Sequence, residues 1–325
     1  MKKINIFPLK IKTFTLGNII NDNIDCFLFG NNISNSFNFL YYFTFNINSL
    51  NNNDENNNIE IEKNNKFIKY WNYLPNKEIN YILPSNNDNN NFIYIFDSQL
   101  SKLNLDDNNN YENKILIDDE IYISPSINNN KIFGIINYQG LKIYNLENNN
   151  YNILYPGKKN TIYDYSINNN NNSINLIVST SDKKMIIYDF RDKKSEVSFR
   201  HKFAFDKILF NNNNIICYSS DIEKILLYDV RNINKYKDII KENVNINKMI
   251  LNDNNNLFYW DLNLNNIINI NIENKIEKYF EYDFNNDNND INNKILNFDF
   301  DITNKNYFYI QNSYKEIFLF NIKNN

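Results

Sequence analysis

The chain is poor in the residues from which metal centres, phosphate-binding loops and disulfide frameworks are built. Its 325 residues include one histidine, two cysteines, five glycines and five prolines. A single histidine excludes a histidine-rich metal site, and the few glycines form no P-loop or dinucleotide-binding pattern. Cys26 and Cys217 are far apart and form no C-x-x-C pair. We therefore expect two buried thiols in a reducing compartment, and neither a metal nor a cofactor.

Alanine is almost absent, since Ala204 is the only one. Asparagine, isoleucine, lysine, tyrosine and phenylalanine dominate instead, and their codons are rich in A and T. This bias removes the best helix former and supplies β-branched and aromatic side chains, which favours strands. Because 42% of the residues are hydrophobic and 16% aromatic, the chain can build a large core, and global disorder is excluded.

Long apolar runs and a surplus of positive charge are missing as well. No run approaches the roughly 18 residues that a membrane-spanning helix needs. Lys10 and Lys12 interrupt the apolar N-terminal segment, so we interpret it as a strand and not as a signal peptide. The net charge of −4 gives no reason to expect nucleic-acid binding. We predict an intracellular protein, in the cytoplasm or the nucleus, with no transmembrane segment.

What the chain does contain is a repeated hairpin. Residues 176–190 and 215–230 each read as strand, tight turn and strand, and they end in Tyr188-Asp189-Phe190 and Tyr228-Asp229-Val230. The same ending, relaxed to apolar–Asn–apolar, occurs at Phe45-Asn46-Ile47, Leu103-Asn104-Leu105, Tyr144-Asn145-Leu146, Ile270-Asn271-Ile272 and Phe320-Asn321-Ile322. Successive copies begin 58, 41, 44, 40, 42 and 50 residues apart. This near-regular spacing indicates one structural unit repeated along the chain.

Asparagine-rich runs show the same period. They lie at residues 86–91, 128–130, 169–172, 211–214, 254–256 and 303–306, each between two apolar segments. Asparagine tolerates left-handed backbone and forms Asx-turns, so these runs are typical of hairpin tips. We expect each run to lie in the first hairpin of a unit.

The hairpin and its spacing resemble the WD-repeat family, in which a unit of about 40–45 residues forms one four-stranded blade. The resemblance implies an all-β fold, a single seven-bladed β-propeller of four-stranded antiparallel blades that spans residues 1–325. The last unit ends after three strands, so we predict that residues 1–13 supply its outer strand and close the ring. Residues 49–58 and 285–293 account for the two long steps, and we interpret them as disordered loop insertions.

The family's motif residues are only partly present. Asp182 lies in the turn that carries the family's structural Asp, Asp221 is displaced by one residue, and Arg200-His201 is the nearest match to its Gly-His pair. The spacing places Trp260-Asp261 in the second strand of the sixth blade, not at the end of its third strand. The two hairpins between residues 176 and 230 also resemble mitotic-checkpoint propellers, although the blade order differs. The resemblance therefore indicates the fold and leaves the subfamily open.

Arginine occurs only at positions 191, 200 and 231. Arg191 and Arg231 occupy the same position of two successive units, and a guanidinium pairs bidentately with a carboxylate, which lysine does not. The pattern resembles the Trp-Asp-x-Arg signature of propellers that serve as substrate receptors of cullin–RING ubiquitin ligases, which implies that both arginines contact another protein. The alternative is a salt bridge within the blade that closes the turn between its third and fourth strands.

Residues 199–202 resemble, more distantly, the Phe-Arg-Arg-Gly element of phosphoinositide-binding propellers. That resemblance implies a lipid-binding site at Arg200, His201 and Lys202. Histidine replaces the second arginine and lysine replaces the glycine, so the two adjacent cationic pockets of that family are incomplete here.

A catalytic site is not identified. His201 would have to be the base of any Ser–His relay, with Ser219 or Ser220 as the nucleophile, and no G-x-S-x-G motif is present. We therefore predict a non-catalytic scaffold that binds other proteins, a monomeric propeller within a multiprotein complex. The alternatives are a ligase substrate receptor and a phosphoinositide-binding propeller.

Overall fold

Strands are the regular secondary structure of the described residues, which contain 29 of them in seven sheets. The computed structural model describes residues 2–6, 9–20, 23–32, 38–46, 58–61, 69–72, 81–84, 92–96, 100–104, 113–117, 126–128, 132–137, 140–145, 150–154, 161–170, 173–189, 196–211, 213–252, 255–280, 295–300, 307–312 and 317–322. The chain divides into two units, one of Met1–Glu120 with Glu281–Asn325 and one of Ile121–Phe280.

The first unit holds three sheets, numbered here by the order of their main strands in the chain. Sheet 1 comprises β2 (Leu9–Ile20), β3 (Asn23–Asn32), β4 (Asn38–Asn46) and β6 (Lys69–Asn72). Sheet 2 comprises β7 (Tyr81–Pro84), β8 (Phe92–Phe96), β9 (Leu100–Asn104) and β10 (Asn113–Ile117). Sheet 7 comprises β27 (Ile295–Phe300), β28 (Tyr307–Asn312), β29 (Ile317–Asn321), β1 (Lys2–Ile6) and β5 (Asn58–Ile61).

The second unit holds four sheets of four strands. Sheet 3 comprises β11 (Ser126–Asn128), β12 (Ile132–Asn137), β13 (Gly140–Asn145) and β14 (Asn150–Leu154). Sheet 4 comprises β15 (Ile162–Asn170), β16 (Ser173–Thr180), β17 (Lys184–Asp189) and β18 (Glu196–Arg200). Sheet 5 comprises β19 (Lys207–Asn211), β20 (Asn214–Ser219), β21 (Lys224–Asp229) and β22 (Asp238–Glu242). Sheet 6 comprises β23 (Ile246–Leu251), β24 (Asn256–Asp261), β25 (Asn266–Asn271) and β26 (Glu277–Tyr279).

Neighbouring strands within these four sheets are antiparallel and follow one another in the chain. Within the second unit, the first strands β11, β15, β19 and β23 of successive sheets contact one another in that order. The predicted all-β class is confirmed, and six of the seven sheets consist of four antiparallel strands, whereas sheet 7 has five strands.

All seven copies of the sequence motif end the third strand of a sheet. These strands are β4, β9, β13, β17, β21, β25 and β29, and their last residues are Asn46, Asn104, Asn145, Asp189, Asp229, Asn271 and Asn321. Where the side chain is described, its oxygen accepts N–H groups of the turn that follows. Asp229 accepts from the N–H of Arg231 at 2.9 Å, and Asn271 accepts from Glu273 at 3.1 Å. The motif is therefore an Asx-turn that stops one strand and starts the connection to the next.

The second strand of sheet 6 lies where the spacing of the repeat predicts it. Trp260-Asp261 ends β24, the second strand of sheet 6, which confirms its assignment away from the third strand. The asparagine-rich runs fall between the first and second strands of sheets 2 to 7, although most of their residues lie outside the described part of the chain.

The N-terminal segment is shared between two sheets, and this differs from the prediction. β1 pairs antiparallel with β29, with Lys3 opposite Phe318. Residues from Leu9 onwards form the first strand of sheet 1, so the segment 1–13 was predicted too long for a single outer strand. Pro8 separates the two strands in the sequence, and proline has no N–H to donate to a ladder.

The outer side of β1 is covered by β5, which runs parallel to it with Ile4 opposite Ile59. Asn58, the last residue of the predicted 49–58 insertion, is the first residue of this strand. Residues 49–57 and the whole of the 285–293 insertion lie outside the described residues.

Hydrophobic layers separate successive sheets of the second unit. Leu176 and Val178 of β16 pack in a layer with sheet 3, whereas Ile177 between them packs in a layer with sheet 5. Successive side chains of a strand point to opposite faces, so a sheet with neighbours on both faces needs continuous apolar strands. This accounts for the runs of β16, β20 and β24, which show little polar alternation. Cys26 and Cys217 are both buried, as predicted.

Side chains of β15 satisfy backbone groups on the open edge of β19. The Asp164 carboxylate accepts the N–H of Ile208 at 2.8 Å, and the Ser166 hydroxyl oxygen accepts the N–H of Phe210 at 2.9 Å. β19 is the first strand of its sheet and has a strand partner on one side only. An unpaired buried N–H costs about 1–3 kcal/mol, so these two acceptors stabilise the seam between sheets 4 and 5.

Asp164 sits in this seam with its carboxylate largely removed from water. Burial raises its pKa to about 6, against the lowering effects of the Lys207 charge and of the N–H groups of Ile208 and Tyr165. Burial, reinforced by the Asp164 charge, also raises the pKa of Cys217 well above its ordinary value. The thiol is therefore protonated and unreactive at neutral pH.

Two ion pairs join the last strands of sheets 5 and 6, and each sheet supplies the lysine of one pair. Lys241 of β22 reaches Glu277 of β26 at 2.5 Å. Lys275, just before β26, reaches back to Asp238 of β22 at 3.0 Å and donates to the carbonyl of Ile239. Together with the β15–β19 contacts, these ion pairs show that neighbouring sheets of the second unit are linked both at their first strands and at their last strands.

A residue with positive φ begins the third strand of sheet 3 and directly precedes the third strands of sheets 4, 5 and 6. These residues are Gly140, Lys183, Glu223 and Asn265, with φ values of 129°, 67°, 53° and 49°. Glycine and asparagine tolerate this region, whereas other L-residues are strained by about 1–2 kcal/mol. The four sheets thus require a positive φ at this position. Sheets 4 and 5 have Lys183 and Glu223 there, two residues for which this conformation is unfavourable.

Replacing Asp164 by Asn should stabilise the protein at neutral pH. The native pKa exceeds the unfolded one, so stability falls as pH rises from about 4 to 6, and the ionised group costs about 3 kcal/mol above pH 7. Asn keeps an acceptor for the Ile208 N–H without the charge. We expect urea unfolding to show a gain of up to about 3 kcal/mol at pH 7.5, shrinking to about 1 kcal/mol at pH 4.5. Ser166→Ala is the control and should destabilise equally at both pH values. A pH-independent effect of Asp164→Asn would contradict the prediction.

Replacing Glu223 by Asn should relieve the strain in the β20–β21 turn. Asn is the residue that sheet 6 places there, and it accepts the left-handed conformation more readily than Glu. We expect the free energy of unfolding to rise by about 0.5–1 kcal/mol. The control is Glu223→Gln, which removes the same charge but keeps the strain. An equal gain in both variants would attribute the effect to charge.

Candidate functional site

Arg231 lies in the connection between β21 and β22, residues 230–237, which is named here the basic turn. Its guanidinium is held by the carboxylate that ends β21. Nε donates to Asp229 Oδ1 at 2.9 Å and Nη2 donates to Oδ2 at 2.6 Å, while the backbone N–H of Arg231 also donates to Oδ1. These hydrogen bonds hold the pKa of Asp229 well below its ordinary range and raise that of Arg231. The planar fork of arginine makes this bidentate geometry possible.

The backbone of the basic turn is fixed by three further contacts. Asn232 forms an isolated β-bridge with Asp229 and donates its N–H to the carbonyl of that residue at 2.9 Å. Ile233 is buried in the layer between sheets 4 and 5. The N–H of Lys237 donates to the carbonyl of Leu227 at 2.7 Å. The turn is thus anchored at its beginning, middle and end.

The structure places Arg231 in the geometry of the intra-sheet salt bridge, the alternative that the sequence left open. The side chain is nevertheless 77% exposed. Its bonds to Asp229 use Nε and Nη2, and Nη1 donates to no acceptor in the described part of the chain. A salt bridge and a contact to another protein are therefore compatible at this residue. Arg191, the other predicted contact residue, lies outside the described residues.

Three residues of the basic turn were not singled out from the sequence. Lys235, Tyr236 and Lys237 are exposed, and Tyr236 keeps 42% of its surface accessible. Its ring meets the buried ring of Tyr228 edge-on, with centroids 6.4 Å apart. Only the pattern Lys-Tyr-Lys beside Arg231 pointed to this surface, and that pattern does not show which side chains face solvent.

Arg200, His201 and Lys202 do not form one cationic surface. Arg200 and Lys202 are exposed. The imidazole of His201 turns inwards and meets the rings of Phe205 and Tyr228 edge-on at 5.0 and 5.4 Å. Burial lowers the pKa of His201, so the ring is neutral at pH 7. The two adjacent cations of the lipid-binding element are therefore reduced to the flanking Arg200 and Lys202.

The candidate Ser–His relay is not assembled. The Nε2 atom of His201 and the Oγ atom of Ser219 are both buried, and neither has a hydrogen-bond partner among the described residues. Ser220 is exposed, and its backbone N–H donates to Asp206 at 2.6 Å. Two aspartates lie beside the strands of sheet 5. Asp206, just before β19, accepts the backbone N–H of Ser220, and Asp221, between β20 and β21, accepts that of Ala204. These carboxylates hold the turn and the linker before β19 together.

The described residues provide neither a cluster of metal ligands nor a membrane-spanning helix. No three His, Cys, Asp or Glu side chains lie close enough together there to hold a metal ion. In the same part of the chain, no helix has the length and apolar character required to cross a membrane.

No protein-family model matches the chain, and no curated protein matches its sequence. Solved structures do resemble it. YCF48 bound to D1 peptide aligns with a TM-score of 0.57 and 9% identity over 97% of this chain and 94% of that chain. Raptor from Chaetomium thermophilum aligns with a TM-score of 0.66 and 9% identity over 98% of this chain and 29% of that one. A chain of the mitotic checkpoint complex aligns with a TM-score of 0.61 and 8% identity over 94% and 86% of the two chains.

These neighbours are β-propellers of the WD-repeat type. At identities of 8% and 9% the likeness concerns the fold alone. The chain therefore has a WD-repeat-like propeller fold.

The only histidine of the chain should titrate below its ordinary pKa. Because the native pKa of His201 is lowered, the unfolded state binds more protons, and stability falls as the pH drops below about 6.5. We expect the single imidazole C2–H resonance to show a midpoint below 6.5 by NMR. His201→Phe, which keeps the aromatic contacts, should remove this part of the pH dependence. A midpoint at or above 6.5 would restore His201 as a surface cation.

Proposed function

We propose that the chain is a non-catalytic β-propeller of seven blades, closed into one ring by β1, that binds other proteins as a subunit of a multiprotein complex. In this proposal the seven sheets are the blades, and residues 1–325 form one domain. The observation that carries it is a feature shared by all seven sheets, in each of which the third strand ends at an Asp or Asn.

The pairing of β1 with β29 supports closure of the ring. β29 is the third strand of the last sheet in the chain, and the fourth position beside it is taken by the N-terminal strand. A sheet built from both ends of a chain ties those ends together and leaves no terminal edge strand open.

The structural neighbours support protein binding by analogy. One of them, YCF48, is bound to a peptide, and another is a chain of a checkpoint complex. A propeller presents many connections on a rigid framework, which suits the binding of several partners. The fold supports this class of function without naming the partner.

Arg191 and Arg231 are proposed as residues that contact a partner. The support comes from Arg231, whose guanidinium is positioned by Asp229 and exposed to solvent. An arginine that is already ordered loses less side-chain entropy when it binds a carboxylate, so it makes a favourable contact point. In the sequence, Arg191 lies between β17 and β18, as Arg231 lies between β21 and β22.

The proposal is tested by affinity purification of the full chain followed by mass spectrometry. Wild type should recover a reproducible set of proteins, and Arg191→Ala/Arg231→Ala should lose part of that set because the bidentate contacts are removed. Arg200→Ala is the matched control, since it removes the third arginine outside the proposed contact. Thermal unfolding of each variant checks that the fold is intact.

Each outcome has a distinct meaning. A folded wild-type protein that recovers nothing reproducible would overturn the scaffold proposal. Partners that persist in the double variant would retain the scaffold and reject the two arginines as contact residues. Loss of a cullin adaptor in that variant alone would specify the scaffold as a ligase substrate receptor.

A further inference from the structure

The basic turn is a positively charged segment in a chain of negative net charge. Residues 231–237 contain Arg231, Lys235 and Lys237 and no acidic residue, in a chain whose net charge is −4. The connection between third and fourth strands is acidic after β9, with Asp106, Asp107 and Glu112, and after β13, with Glu147. The connection after β17 is basic as well, with Arg191, Lys193 and Lys194 against Asp192. The basic turn differs from it in having no acidic residue.

The ammonium groups of the two lysines take no part in the ion pairs of the described residues. No carboxylate in the described part of the chain forms an ion pair with Lys235 or Lys237. Lys237 acts on Asp229 and Asp238 only through space, lowering the pKa of both carboxylates. Asp229 is already bound to Arg231 and Asp238 to Lys275. Among the described residues nothing pairs with the ammonium groups of Lys235 and Lys237, which leaves both groups for external anions.

An aromatic ring lies between these charges. Tyr236 separates Lys235 from Lys237, is 42% exposed, and rests edge-on against the buried Tyr228. One side of the Tyr236 ring is thus supported by Tyr228, while part of the ring stays exposed to solvent. An exposed, supported ring offers apolar contact area at low entropic cost, which is the use of tyrosine at protein interfaces.

We infer that the basic turn binds an acidic peptide segment of a partner protein, with an apolar or aromatic partner residue on Tyr236 and partner carboxylates on Lys235, Lys237 and the open Nη1 edge of Arg231. This deepens the proposed function and rests on it. Complementary charge selects the acidic segment, and the ring favours a peptide over a simple anion because it needs an apolar group in register with the carboxylates.

The rigid backbone supports this choice of ligand. The Asp229–Asn232 bridge, the buried Ile233 and the Lys237–Leu227 hydrogen bond fix the positions from which the three cations extend. A preordered turn loses little conformational entropy on binding, whereas a mobile lysine-rich segment would lose more.

The probe for the test is a library of random dodecapeptides displayed on phage and selected on the full-length protein. Recovered peptides should be enriched in Asp and Glu around an aromatic or large apolar residue. As fluorescein-labelled synthetic peptides they should bind Lys235→Glu/Lys237→Glu at least about tenfold more weakly by anisotropy. Tyr236→Ala should weaken binding as well, and Tyr236→Phe should restore it. Higher salt should weaken binding, because the contacts are exposed ion pairs.

The matched control is Lys202→Glu/Lys278→Glu, which changes the net charge by the same amount at two other exposed lysines. It should bind the recovered peptides as the wild type does. Equal weakening in both double variants would reduce the effect to overall charge and overturn the inference. Recovery of no peptide, or of peptides without acidic enrichment, would overturn it too.

A second experiment measures binding of the wild type and of Lys235→Glu/Lys237→Glu to vesicles of phosphatidylserine in phosphatidylcholine. Vesicle binding that is lost in Lys235→Glu/Lys237→Glu, with no peptide recovered, would replace the peptide by an anionic membrane and overturn the inference. The protein-binding proposal fails separately. If affinity purification still recovers partners in Lys235→Glu/Lys237→Glu while the peptide arm fails, those partners bind elsewhere and the scaffold stands.

Discussion

The open edge of each first strand is the constraint on which the packing of sheets depends. β19 has a ladder partner on one side only, and on its other side it meets β15 of the preceding sheet at a buried seam. Asp164 and Ser166 supply acceptors to the N–H groups of Ile208 and Phe210, at the alternate spacing that strand geometry requires. Apolar layers alone would leave these N–H groups unpaired. The seam therefore combines a hydrophobic layer with hydrogen bonds from side chains of β15 to the backbone of β19. The ionised carboxylate opposes burial, which makes this the most pH-sensitive part of the described seam.

The repeat was predictable from the sequence because its features are local. An Asx-turn needs an Asp or Asn at one position, and a strand buried on both faces needs a continuous apolar run. Both survive in a chain whose composition is dominated by asparagine and isoleucine, and the copies that end at Asp229 and Asn271 show the turn directly. The pairing of β1 with β5 was not predictable. It joins residues more than 50 positions apart in parallel, and no local pattern encodes such a contact.

The candidate site was predictable in part. The rarity of arginine singled out Arg231, and its carboxylate partner stands two residues earlier in the motif itself. Its exposure was not deducible, because a salt bridge and an accessible side chain have the same sequence pattern. Lys235, Tyr236 and Lys237 were missed for the same reason. Their role depends on Ile233 being buried and on Tyr228 lying beneath Tyr236, and both are tertiary facts. Conversely, the distant resemblance included His201 in a lipid-binding site, whereas its ring contacts the aromatic side chains of Phe205 and Tyr228.

The use of arginine in a lysine-biased chain shows how structure and recognition combine in the basic turn. Lysine at position 231 would carry the same charge, but a single ammonium cannot bind both oxygens of Asp229 in the plane of the carboxylate. The guanidinium does so with Nε and Nη2 and still has a donor edge facing solvent. One residue therefore closes the turn and retains binding capacity, whereas the side chains of Lys235 and Lys237 form no ion pair in the described part of the chain. A turn that is rigid because of one cation can thus present the other two at fixed positions, which is the property that a recognition surface requires.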